Sequence, residues 1–171
     1  MPISGFEIIS LGKITLWYII CLMKTVRYAM LIATVLLATI AFGETCKPTR
    51  PDALGPFYQP NAPERSSVGK GYVLSGTIKS AKDCSAIERA MIEFWLAGPD
   101  REYADKYRAT LFSGKSGSYR FESPVPPPYY GRPPHIHIRV TSKGYQTLVT
   151  QHYPVEGKTE AVFDIVLAPA Q

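Results

Sequence analysis

Seven short runs rich in Val, Ile, Thr, Tyr and Phe recur between residues 71 and 168, each bounded by Gly, Pro, Ser or Asp. They occupy 71–80, 90–98, 108–114, 117–123, 135–142, 147–153 and 161–168. β-Branched and aromatic residues fit a pleated, half-buried surface, and the bounding residues suit turns. Several runs alternate. Tyr119 and Phe121 share one face, and Ile136, Ile138 and Val140 share another, opposite His135 and His137. No segment keeps a helical period over ten residues, and Ser85–Ala90 is expected to form one turn at most. The spacing predicts an all-β chain: a single β-sandwich of about seven to eight strands over residues 71–171. Residues 44–70 are rich in Pro, Gly, Asn and Ser, and read as an extended N-terminal arm.

The first 43 residues form a leader, set apart from the fold. From Met23 the chain reads MKTVRYAMLIATVLLATIAFG: two cations, an apolar run, then small residues. That is the layout of a secretory signal peptide, with cleavage expected after Ala41 or Gly43 and Met23 a candidate true start. The chain is therefore expected to be secreted or periplasmic. A membrane anchor is the competing reading, but the uncharged run Tyr28–Phe42 has 15 residues, short of the roughly 20 a spanning helix needs. No stable span is expected after cleavage. Beyond the leader, Cys46 and Cys84 remain, and two cysteines in an exported domain are expected to form one disulfide. The formal net charge is +5, and Lys13, Lys24, Arg27 and Glu7 place +2 of it in the leader. The mild, scattered remainder gives no basis for binding nucleic acid.

All three histidines fall between positions 135 and 152. His135 and His137 form a His-Ile-His triplet in a β-like run, so both imidazoles leave the same face with Cβ atoms roughly 6.5–7 Å apart. Both rings can then reach one metal ion at about 2.0–2.1 Å. Tyr129 and Tyr130 lie just upstream in PPPYYGRPP, and Tyr103 follows Trp95 in a loop. Trp95 itself reads as a core residue. A tyrosine ionises at neutral pH only beside a strong Lewis acid, because its free pKa is about 10. Phenolates with neutral imidazoles suit Fe(III); zinc prefers His, Cys and carboxylate. A copper or zinc site built from His135, His137 and His152 is the competing arrangement.

The string Arg132-Pro133-Pro134-His135-Ile136-His137 resembles a signature of the intradiol ring-cleavage dioxygenases. So do Ile92-Glu93-Phe94-Trp95 with Tyr103, Gly117-Ser118-Tyr119-Arg120-Phe121, and Gly144-Tyr145 followed by Leu148-Val149-Thr150-Gln151. Gly55-Pro56-Phe57-Tyr58 is similar to the family's N-terminal arm. The matches run in order from about residue 54 to 168. The resemblance implies a non-haem iron(III) dioxygenase that opens a catechol-type substrate between its hydroxylated carbons with O₂. It implies Tyr103, Tyr129, His135 and His137 as metal ligands, with Tyr130 the alternative to Tyr129 because the loop is shorter than in the larger enzymes. It implies that Tyr129 accepts a catechol proton, that Arg132 lies near the substrate and that Gln151 lies near the iron. The alternative to an enzyme is an exported binding module for a carbohydrate, polyphenol or protein on the same fold.

Overall fold

The computed structural model of the chain describes residues 46–170. The expectations for the leader, and for the first two residues of the arm, lie outside the described residues. Eight strands follow in order: β1 (Tyr72–Ser80), β2 (Met91–Leu96), β3 (Arg108–Phe112), β4 (Ser118–Ser123), β5 (Ile136–Thr141), β6 (Leu148–His152), β7 (Glu160–Val162) and β8 (Ile165–Leu167). They form two four-stranded sheets. One has the order β4-β1-β7 with β8 also paired to β1; the other has the order β3-β2-β5-β6.

The two sheets bury one face each against the other. From the first come Leu74, Ile78, Phe121, Ile165 and Leu167, and from the second Ile92, Phe94, Leu96, Ile136, Ile138 and Val140, all essentially without solvent contact. Phe94 stacks on Phe121 across the interface, with ring centroids 4.2 Å apart and planes 6° from parallel. Burying each such side chain contributes about 1.5–3 kcal/mol. The expected all-β sandwich is what the chain forms.

One local expectation is corrected. The run at 161–168 is two strands, because the Asp164 carboxylate takes the Thr77 amide (2.9 Å) and breaks the ladder along β1. Gly76 permits this crossing: a Cβ there would lie 2.2 Å from the Phe163 carbonyl oxygen. Ser85–Ala90 holds one non-helical turn, at Glu88 and Arg89, and a short helical turn lies at Asp105–Tyr107. The Tyr107 ring lies flat against Gly98, where any side chain would overlap it, and so anchors the intervening loop.

The outward face of the second sheet is set by the register. Trp95 pairs with His137 and Glu93 with Arg139, while Gln151 stands opposite His137 on β6. The arm crosses this face. Its backbone joins β8 at Thr49, β6 at Asp52, β3 at Arg65 and β4 at Val68, each through an amide-to-carbonyl bond of 2.9–3.0 Å. A Cys46–Cys84 disulfide, with Cα atoms 5.2 Å apart, ties the start of the arm to the turn after β1, as expected.

Candidate active site

Strand alternation sends Ile136 and Ile138 into the core and His137 outward beneath the arm. The His137 ring lies face to face with Trp95, with centroids 4.9 Å apart and planes 7° from parallel. Trp95 is buried as expected, but it also forms the floor under His137. On the arm side Gly55 approaches the ring closely: a Cβ would meet Cε1 at 3.0 Å. The Nδ1 atom of His137 has no hydrogen-bond partner among the described residues. The Ala53 carbonyl on that side accepts from Gln151 Nε2 instead (2.5 Å). Stacking on Trp95 and the close approach of Gly55 therefore orient this imidazole on its Nδ1 side, while its Nε2 faces Tyr103.

His135 directly precedes β5. Its Nδ1 lies 2.8 Å from the Pro133 carbonyl oxygen, which can only accept, so Nδ1 carries the hydrogen and Nε2 presents a lone pair. Both histidines are almost fully buried. Burial lowers both pKa values; in His137 burial, then His135 and Arg132, brings it to about 4. The two rings are neutral at pH 7, which is the protonation state a metal needs.

Tyr103 completes the cluster. Its Oη lies 3.1 Å from His135 Nε2 and 3.3 Å from His137 Nε2. The Tyr103 ring stacks on Phe57 of the arm at 4.4 Å and 15°. The Arg108 guanidinium holds both partners of that stack, donating to the Phe57 carbonyl (2.7 Å) and the Tyr103 carbonyl (2.8 Å). Tyr129 stands edge-on to Tyr103 at 5.2 Å and to Phe57 at 5.8 Å. Tyr129 and Arg132 close a two-residue turn, and Tyr130 and Gly131 at its tip have φ of +44° and +80°. That turn directs Tyr129 against the cluster and leaves Tyr130 91% exposed. Tyr103, Tyr129, His135 and His137 thus line one cavity of about 460 Å³, with Tyr130 at its rim.

These groups fit a trivalent cation. Two neutral imidazoles and two phenols converge, and Tyr103 has one proton to offer two nearby nitrogens. Burial pushes Tyr103 up to about 12, so without a strong Lewis acid its phenol stays protonated at neutral pH.

Arg132 also lines the cavity. It donates to Gln151 Oε1 (2.8 Å) and shares a contact with the Tyr153 hydroxyl (3.0 Å), which in turn donates to Asp52 Oδ2 (2.8 Å). Gln151 is not in the cavity wall; it sits behind Arg132 and fixes it. Tyr153 and Asp52 were missed by the sequence reading. Tyr153 carried a signal, standing one strand period after Gln151, whereas Asp52 and Arg108 had no local motif.

His152 lies on the other side of its strand. It stands opposite Ile136, shares a hydrogen bond of 2.7 Å with the Tyr72 hydroxyl, and packs on Phe163. A three-histidine site is therefore excluded by the strand pairing. Among the described residues no group of three or more His, Cys, Asp or Glu side chains could hold a metal ion.

No family model matches the chain. A chlorocatechol 1,2-dioxygenase of Cupriavidus pinatubonensis is 30% identical over 174 residues, covering 75% of this chain and 68% of that one. The dioxygenase domain of a dioxygenase carbohydrate-binding protein fusion from Streptomyces sp. SirexAA-E superposes with a TM-score of 0.64 and 25% identity, over 72% of this chain and all of that one. An intradiol ring-cleavage dioxygenase from Tetranychus urticae shares the fold, with a TM-score of 0.66 at 16% identity over 74% of this chain and 97% of that one. Among the described residues no helix is long and apolar enough to cross a membrane.

Proposed function

The chain belongs to the intradiol ring-cleavage dioxygenases, and on that premise we propose that it holds Fe(III) through Tyr103, Tyr129, His135 and His137 and opens a catechol-type ring with O₂. The observation that carries this reading is the approach of Tyr103 Oη to the Nε2 atoms of both buried histidines. The overall change joins one oxygen atom of O₂ to each hydroxyl-bearing carbon as the bond between them breaks, giving a diacid. When bound, Fe(III) would supply the Lewis acidity that ionises phenols and the one-electron chemistry that lets O₂ react with an aromatic ring.

The chain's own residues supply the rest. His135 and His137 offer neutral lone pairs, one oriented by the Pro133 carbonyl and the other by the Trp95 ring. Tyr129 Oη accepts one catechol proton. Arg132, always cationic and held in place by Gln151 and Tyr153, stabilises negative charge on the substrate as the ring opens. Pro56 and Phe57 of the arm wall the cavity against water. The Cys46–Cys84 disulfide and the basic-then-apolar leader support export to an oxidising compartment.

The test is metal content with a visible spectrum, on protein purified without chelators and then exposed to catechol under argon. Stoichiometric iron and a tyrosinate charge-transfer band that moves to longer wavelength with catechol are expected. Admitting O₂ then bleaches the band and releases the diacid. Protein that stays colourless and iron-free after ferric reconstitution overturns the reading and leaves a binding module on the same fold.

A further inference from the structure

A second hollow of about 460 Å³ opens beside the first and shares Tyr129 and Tyr130 with it. Arg101, Pro128 and Gly131 complete its lining. Specific small-molecule sites run to about 300–1,000 Å³ for ligands much larger than a single catechol ring, so the two hollows together suit a larger substrate.

The residues around the outer hollow are held in unusual conformations. Tyr130 and Arg101 have φ of +44° and +62°, in the left-handed region that side chains seldom adopt. Such backbone is retained where the surroundings enforce it, and it clusters at binding sites. Tyr130 is 91% exposed, yet its ring is braced edge-on against Tyr129 at 4.7 Å and 77°. It presents an open aromatic face at the rim. The two arginines of the region differ in how they are engaged. Arg132 is committed to Gln151 and Tyr153. The Arg101 guanidinium has no ion pair or hydrogen bond among the described residues, and the neighbouring Asp100 carboxylate is taken by Lys106 at 2.9 Å. The free cation therefore lies at the outer hollow, next to the exposed ring.

We propose that Arg101 and Tyr130 form an outer subsite for a catechol bearing a planar side chain that ends in a carboxylate. Tyr130 stacks on the side chain, and Arg101 receives the carboxylate while the dihydroxylated ring occupies the inner cavity. This inference rests on the ring-cleavage reading above.

The probes are catechol, 3-(3,4-dihydroxyphenyl)propenoic acid and the methyl ester of that acid. They are compared by kcat/KM and, in parallel, by calorimetric binding to the full-length iron-loaded protein under argon. The acid is expected to exceed the ester in both measurements. Arg101→Gln should lower the acid-to-ester ratio about tenfold, the loss of one charge-assisted hydrogen bond. Tyr130→Ala should lower the ester-to-catechol ratio several-fold while leaving the acid-to-ester ratio in place. An acid-to-ester ratio that does not respond to Arg101→Gln overturns the subsite, whether read by turnover or by binding. If catechol itself is never opened, the ring-cleavage reading fails, and binding alone decides the subsite.

Discussion

The ion pair between Glu93 and Arg139 should be worth far more than a surface salt bridge, and its loss should be felt at the site. Glu93 faces outward on β2 but is only 5% exposed, because the arm covers it. Arg139, opposite it on β5, donates to Oε2 at 2.5 Å, and the Tyr58 hydroxyl donates to Oε1 at 3.0 Å. Arg139→Met keeps most of the stem and removes the charge, leaving a buried carboxylate with one donor. Removing one partner of a buried pair costs about 3–5 kcal/mol, and the 26% exposure of the Arg139 side chain reduces the expectation to about 2–4 kcal/mol. Adding Glu93→Gln removes the stranded charge, so the double variant should recover about 2 kcal/mol of that loss. Urea unfolding at pH 7 with the disulfide intact measures each free energy. Tyr58 packs on Trp95 at 5.2 Å, and Trp95 lies under His137, so near-UV circular dichroism of Arg139→Met should change even where the fold survives. A loss below 1 kcal/mol, or a double variant whose cost equals the sum of the singles, would refute the reasoning.

Other expectations are independent of that pair. Replacing Cys46 and Cys84 with Ser removes a cross-link spanning 38 residues, for which loop-closure entropy gives about 4 kcal/mol; an unchanged urea midpoint would count against it. His152 is half-buried beside Tyr72 and Phe163, and the burial lowers its pKa to about 4. The unfolded chain binds this proton more readily, so stability is present above about pH 6.5 and is lost as pH falls toward 4. Allowing for partial solvent access the loss is on the order of 2 kcal/mol, and His152→Asn should flatten it in pH-dependent thermal melts. Tyr129→Phe should shift the visible band of the iron-loaded protein and slow turnover, whereas Tyr130→Phe should leave the band in place; the reverse would make Tyr130 the ligand.

Much of this was legible because period-two patterning carries two messages in one strand. In β5 the isoleucines announce the core, and the intervening His137 announces the opposite face. Tyr103 could be named from its motif, but its distance from the histidines could not, since a loop anchored by Tyr107 on Gly98 delivers it. Tyr129 was preferred over Tyr130 from the motif, but what parts the two adjacent tyrosines is the turn, whose positive φ values leave Tyr130 exposed. Gln151 could be named from its motif, but its hydrogen bond to Arg132, which lines the cavity, could not. What the sequence could not show was long-range: Asp52 meeting Tyr153 and Arg108 reaching Phe57 join residues 101 and 51 positions apart, with no periodicity to link them. The split of β7 from β8 was hidden for a similar reason, since Asp164 competes with the backbone only once Thr77 lies beside it.

The same alternation explains why the site tolerates so little freedom in register. A one-residue slip of β5 against β2 would turn Ile136, Ile138 and Val140 out beneath the arm and drive His137 and Arg139 into the apolar interior. Each buried isoleucine or valine so exposed forfeits about 1.5–3 kcal/mol, and an arginine separated from Glu93 in the core costs several more. The hydrophobic pattern that folds the sandwich therefore also fixes which residues face the arm. With His137 held opposite Trp95 and Gln151 by that register, the arm has only to bring Gly55 and Phe57 down on the outer face to close the cavity. The energy that positions the histidines is drawn from the core behind them, so the His137 Nδ1 can go without a hydrogen-bond partner among the described residues without costing the fold its stability.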